Sequence, residues 1–176
     1  MSEPQSEPDG APAPLMEPLL AVHSAPNASW LSDAAVNAAE RGIGALYAFL
    51  YLIDASGSLS GEPPASGRAA RALTKVRQIL NVDPTTIKLR PEEHPVIATT
   101  IAEGRGAVVA NLEEVLPLDM DAGALTAAQL LLGFAEVWLV PVAWASEALG
   151  LLMLLVPPQA PASVAQAELL GRHVGL

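Results

Sequence analysis

The side chains best able to do chemistry in this sequence are few and scattered. Three histidines, His23, His94 and His173, lie far apart, with no HExxH or other close metal-ligand spacing. No metal site is expected. His94 has the most suggestive place, immediately before Pro95 with Glu92 and Glu93 beside it, and those polar neighbours give it the reading of a surface histidine. The carboxylates Glu113 and Glu114, and Asp119 and Asp121, fall in a turn-rich stretch and read as solvated loop charges. Asp119 and Asp121 with backbone carbonyls are the one donor set of the kind that holds a hard cation. The chain has no cysteine, which removes disulfides, thiolate zinc sites, iron–sulfur clusters and thiol nucleophiles together. No GxSxG, Walker A or GxGxxG run occurs. With no activated nucleophile in view, the chain is not expected to be an enzyme.

Charge narrows the partners. The net charge of −10 opposes long-range attraction to phosphate backbones and anionic lipid, so nucleic acid is not expected. The basic set Arg68, Arg71, Lys75 and Arg77 reads as the solvated face of a helix, with recognition of an anion as its other reading. The longest apolar runs, such as Leu149 to Val156, fall short of the roughly 18 to 20 residues that span a bilayer. Residues 1–10 carry three acids and no Lys or Arg, which is unlike a secretory signal. A cytoplasmic location follows as the expectation.

These side chains must be positioned by the elements around them. Residues 1–18 contain Pro4, Pro8, Pro12, Pro14 and Pro18 and are expected to be a disordered acidic leader, with residues 19–176 forming one domain. A short helix is expected over Leu15 to His23. Another runs from a cap at Asn27 or Ser29 to Gly42, with Trp30, Leu31, Ala34, Ala35 and Ala38 on one side. Ala45 to Ile53 is apolar at every position, which suits a strand buried on both faces. A short edge strand follows within Leu59 to Ser66, then an amphipathic helix over Gly67 to Leu80. Thr85 to Arg90 reads as a strand, Glu92 to Glu103 as a helix ended by Gly104, and Ala107 to Leu112 as a strand. Leu125 to Ala135 is a helix. Val137 to Ala145 and Leu149 to Val156 form a hairpin around Ser146 and Glu147 in which Gly150 gives the return, and Ser163 caps a last helix with Val164, Leu169, Leu170 and Val174 as its apolar positions. A closing hairpin rules out an all-parallel series. The fold class is α/β in the α+β sense: a central antiparallel or mixed sheet of five to six strands with helices on both faces.

Three segments together resemble the GAF domain, a small-molecule-sensing and dimerising module of signalling proteins. They are ALYAFLYLID at Ala45 to Asp54, HPVIATTIAEGRGAVVANL at His94 to Leu112, and VWLVPVAWASEALGLLMLL at Val137 to Leu155. They are similar to that family's first strand, its cross-over helix with the next strand, and its closing hairpin. Pro141 adds to the likeness, because proline is common there in the family; physically it requires an edge, a bulge or a strand end.

The resemblance implies a GAF/PAS-like sensory domain, binding an unidentified small molecule and forming a homodimer. It implies a downstream effector in the same polypeptide, such as a histidine kinase or nucleotide cyclase, into which the last helix continues beyond Leu176. A ligand-free dimerisation module is the alternative. The pocket is expected to draw on Tyr51, Ile87, Leu89, Val96, Thr100, Val109, Trp138 and Val140, with one sheet face lining it and the other seating the dimer. No cofactor is expected. A covalent bilin needs a cysteine that the chain lacks, the NKxnFxxxDE pattern of cyclic-nucleotide-binding members is missing, and haem would rest on His94 alone.

Overall fold

The computed structural model of the chain describes Val22 and residues 27–62, 67–81, 86–117 and 120–175. The expected leader, most of the Leu15 to His23 helix, Pro63 and Pro64, and Asp119 lie outside them. Within them the elements run α1 (Ala28–Ala38), β1 (Tyr47–Ile53), β2 (Leu59–Glu62), α2 (Gly67–Leu80), β3 (Lys88–Leu89), α3 (Pro95–Glu103), β4 (Ala107–Val109), α4 (Ala122–Leu132), β5 (Glu136–Trp144), β6 (Glu147–Val156) and α5 (Val164–Val174). The strands form one six-stranded sheet in the order β3-β2-β1-β6-β5-β4. Every pair is antiparallel.

Strand alternation sorts the central strands into two faces. Ala48 and Leu50 of β1, Leu152 and Leu154 of β6, and Trp138 and Val140 of β5 point to one face and are buried under α1 and α5. Tyr51, Leu151, Met153, Val137 and Leu139 point to the other, beneath α2, α3, α4 and the turns between them. No polar side is left on β6, whose residues from Gly150 to Val156 are all buried. No helix of the described residues is long and apolar enough to cross a membrane.

Several element ends differ from the sequence expectation, each for a local reason. Asn27 caps α1 by accepting the Trp30 N–H at 3.1 Å. The helix passes Gly42 as a π turn over Ala39–Ile43 and ends at Gly44, whose φ of 82° is left-handed. Trp30, expected on the buried side, is 65% exposed instead, and Leu169 of α5 is also exposed. The strand expected over Thr85 to Arg90 shrinks to Lys88–Leu89. The helix expected from Glu92 divides into a 3-10 turn at Pro91–Glu93 and α3, with His94 between them. β4 stops at Val109 because Asn111 opens the 3-10 turn Leu112–Glu114 with a capping box. Asp121 starts α4 three residues before the expected Leu125 by accepting the Ala124 N–H at 2.7 Å.

The hairpin shows the largest local correction. Its turn is Ala145–Ser146, with Ala145 at φ 53°, and Gly150 lies inside β6 opposite Leu52 and Val142. A Cβ on Gly150 would stand 2.1 Å from the Tyr51 carbonyl oxygen, so glycine is needed there for close approach to β1. Between Val142 and Ala143 the register shifts in a bulge, pairing Val142 with Gly150 but Ala143 with Ala148. Pro141 is tolerated because β4 pairs only with Val137 to Leu139, leaving Pro141 on a free edge next to that bulge.

Adding the missing methyl group therefore strains the β1–β6 contact directly. Gly150→Ala is expected to cost about 3 kcal/mol of unfolding free energy by urea titration, at the upper end of overpacking losses. A cost below about 1 kcal/mol would show that the two strands separate with ease.

Candidate functional site

A cavity of about 50 Å³ lies on the face of the sheet covered by α2 and α4. Its floor is Phe49 and Tyr51 of β1 with Met153 and Leu155 of β6. Alternation puts these four on one side of neighbouring strands, where Phe49 pairs with Met153 and Tyr51 with Leu151. Leu73 and Val76, three apart on α2, form the roof, and Ile87, Leu112, Leu116 and Leu132 close the sides.

Among the ten lining residues, Tyr51 alone carries a hydroxyl. Burial pushes its phenol up to about 12, so it stays protonated near neutral pH and can both donate and accept. Its ring packs over the backbone of β2, where a Cβ on Gly61 would lie 3.2 Å from Cε1.

The residues expected to form a pocket divide between the two faces. Tyr51 and Ile87 line the cavity. Leu89 and Val109 are buried in the same apolar layer, with Val96 packed against it. Thr100 is buried on α3, where its hydroxyl donates to the Val96 carbonyl at 2.8 Å. Trp138 and Val140 lie on the opposite face beneath α1 and α5, and the Trp138 indole N–H donates to Glu136 Oε2 at 2.8 Å. Phe49, Leu73, Val76, Leu112, Leu116, Leu132, Met153 and Leu155 are the lining residues that sequence reasoning missed. The helical spacing of Leu73 and Val76 marked an inward face of α2, but nothing in the sequence said which part of the sheet that face meets.

His94 is not on the surface. It is 1% exposed, at the join of the Pro91–Glu93 turn and α3, and its Nε2 is buried without a hydrogen-bond partner. Burial pushes its pKa below the ordinary 6.5; the Glu93 carboxylate and a hydrogen bond to the Glu114 backbone oppose that fall without cancelling it. The imidazole thus ties the start of α3 to the Leu112–Glu114 turn, which borders the cavity.

The other chemical candidates are occupied by structure. Glu114 accepts the Ala110 and Asn111 N–H groups at 3.2 Å each, and Asp121 caps α4. Asp54 accepts from Ser56, Ser58 and Ser60 and pairs with Lys88 Nζ at 2.8 Å, joining the β1–β2 turn to β3. The Lys88 ammonium and the Ser56 hydroxyl hold its carboxyl well below the usual range. Arg68, Arg71 and Lys75 are exposed along α2, as a solvated face would be. No group of three or more His, Cys, Asp or Glu able to hold a metal occurs among the described residues.

A six-stranded antiparallel sheet with helices on both faces and an apolar cavity under one helical layer defines an α+β domain. Its fold is GAF-like. The chain aligns with the GAF domain of an Acinetobacter phosphoenolpyruvate-protein phosphotransferase at a TM-score of 0.61, with 14% identity, over 92% of this chain and 87% of that one. With the chromophore-binding domain of Stigmatella aurantiaca phytochrome the TM-score is 0.59 at 17% identity, over 98% of this chain and 63% of that one. A domain of a two-component sensor histidine kinase protein from Sinorhizobium meliloti aligns at a TM-score of 0.50 and 17% identity, over 85% of this chain and 89% of that one. At these identities the likeness is one of fold. No protein-family model matches the sequence, and no curated protein is a significant match.

The buried imidazole has a consequence for stability. Because its pKa is lower in the folded chain, the unfolded chain takes up the proton first as pH falls. Its contribution is complete above about pH 6.5 and is lost as pH drops through the lowered folded value. Thermal melts of the wild type and His94→Gln from about pH 8 to about pH 5 are expected to show a steeper loss in the wild type, by up to about one proton. Parallel curves would mean that His94 is already hydrated in solution.

Proposed function

We propose that this chain is a non-catalytic regulatory domain whose cavity takes a small, mainly apolar molecule oriented by the Tyr51 hydroxyl. The observation that carries this reading is the cavity: an apolar lining with one hydroxyl, at the seam between the sheet and α2. Buried polar groups that are few and well placed give such sites their specificity. The solved GAF-like neighbours include domains of a sensor histidine kinase and a phytochrome, which supports a role as an input to an effector in the same polypeptide. In this reading the protein works in the cytoplasm and without a cofactor. Trp30 on α1 and Leu169 on α5, both exposed, are apolar anchors for a homodimer seated on those helices.

A second reading has its own support. A cavity of about 50 Å³ has room for little more than a water or two, whereas drug-sized ligands occupy roughly 300 to 1,000 Å³. A ligand-free dimerisation module would keep such a filled core. Ring-sized ligands would have to push Leu73 and Val76 outward with α2.

Native mass spectrometry of the purified chain, looking for a retained small molecule, tests the first reading directly. Thermal shifts with phenol and benzene sharpen it. Phenol is expected to bind about fivefold more tightly than benzene, a difference that Tyr51→Phe abolishes, since a neutral hydrogen bond is worth about 1 kcal/mol. Val76→Trp, which fills the cavity, is expected to abolish both shifts. No retained molecule and no shift, together with a concentration-dependent dimer in ultracentrifugation, would give the answer to the second reading.

A further inference from the structure

Another concave region is polar and lies away from the apolar cavity. It is a groove of about 530 Å³ between the end of α3, the free edge of β5 and one side of α5, bordered by Glu103, Gly104, Pro141, Ser146, Glu168 and Arg172. Its walls are fixed by close contacts. Glu168 Oε1 accepts the Gly106 N–H at 2.6 Å, which ties α5 to the residue just before β4, and β4 pairs β5 only from Val137 to Leu139. Along the same helix a Cβ on Gly171 would lie 2.4 Å from the Pro141 carbonyl oxygen, and one on Gly175 would lie 2.1 Å from that of Ala143. α5 therefore rests backbone to backbone on β5.

The charges around this groove are unspent. Among the described residues, neither Glu103 nor Arg172 makes a hydrogen bond or ion pair, and only one oxygen of Glu168 is engaged. Glu168 and Arg172 stand one helical turn apart on α5, with Glu103 on the facing wall at the C-terminal, partially negative end of α3. Two carboxylates and one guanidinium are complemented by a molecule with two cationic groups and one carboxylate.

We propose that this groove binds a free α-amino acid with a basic side chain, its carboxylate on Arg172 and its two cationic groups on Glu103 and Glu168. The volume lies within the range of ordinary ligand sites. A guanidinium engages a carboxylate through two parallel hydrogen bonds, which fixes the ligand's direction. Bound in this way the amino acid bridges α3 to α5, so it ties the last helix to the element that carries His94.

Isothermal titration calorimetry with L-lysine, L-norleucine, cadaverine and L-glutamate tests the assignment. Lysine is expected to bind best; norleucine, lacking the second cation, and cadaverine, lacking the carboxylate, are each expected to bind about tenfold more weakly, and glutamate not at all. Arg172→Gln is expected to bring lysine down to the level of cadaverine, and Glu103→Gln to that of norleucine. Both positions are exposed and unbonded, so both variants are expected to fold. Tyr51→Phe leaves lysine binding unchanged, which separates this groove from the apolar cavity. No heat with any probe, glutamate equal to lysine, or lysine affinity unmoved in both variants would overturn the proposal.

Discussion

The burial of β1, β6 and β5 on both faces is the constraint on which the rest of the structure depends. A strand with apolar residues on one side only needs one covering layer; these three need two. The chain supplies them from different parts of the sequence. α1 and α5, near its two ends, cover one face, while the stretch between β2 and β5 folds back as α2, α3 and α4 over the other. Such a sheet has no wet face on which to build a site. Space for a ligand must then come from imperfect filling under a helical layer or from the edge where a short strand stops, and the apolar cavity and the polar groove are one of each.

Composition and periodicity made much of the architecture legible. The unbroken apolar run at Ala45 to Ile53 required two-sided cover, and the structure provides it. The Ser163 cap and the helix at Gly67 to Leu80 also lie where the sequence placed them. Helix starts were harder to read, because a cap is a choice between neighbouring polar residues. Asp121 competed with the apolar pattern beginning at Leu125, and the Ala124 N–H of the first turn went to the aspartate side chain.

The pocket was harder still, for a reason that one bulge explains. Counted back from the Ala145–Ser146 turn without interruption, the pairing of Trp144 with Glu147 would set Trp138 opposite Met153 and Val140 opposite Leu151. Both would then share the cavity face with Phe49 and Tyr51. The bulge after Val142 leaves Leu149 without an opposite residue and moves the register by one, and a shift of one residue sends every side chain to the other face. Trp138 and Val140 therefore pack under α1 and α5. Pro141 and Gly150 are residue types that allow a bulge in the hairpin, but they do not say on which strand or at which residue the extra position falls.

His94 illustrates the opposite difficulty, in which local sequence gives a clear reading that tertiary structure overrides. Two glutamates and a proline around a histidine describe a solvated turn, and the Pro91–Glu93 segment does form one. The turn directs its carboxylates outward and so carries the next side chain inward, where the Leu112–Glu114 turn covers it. An apolar residue there would have packed with no unsatisfied nitrogen. Retaining an imidazole with a buried, unpartnered Nε2 costs free energy at a join between two covering elements. That cost falls at the edge of the cavity's cover, beside the Leu112–Glu114 turn.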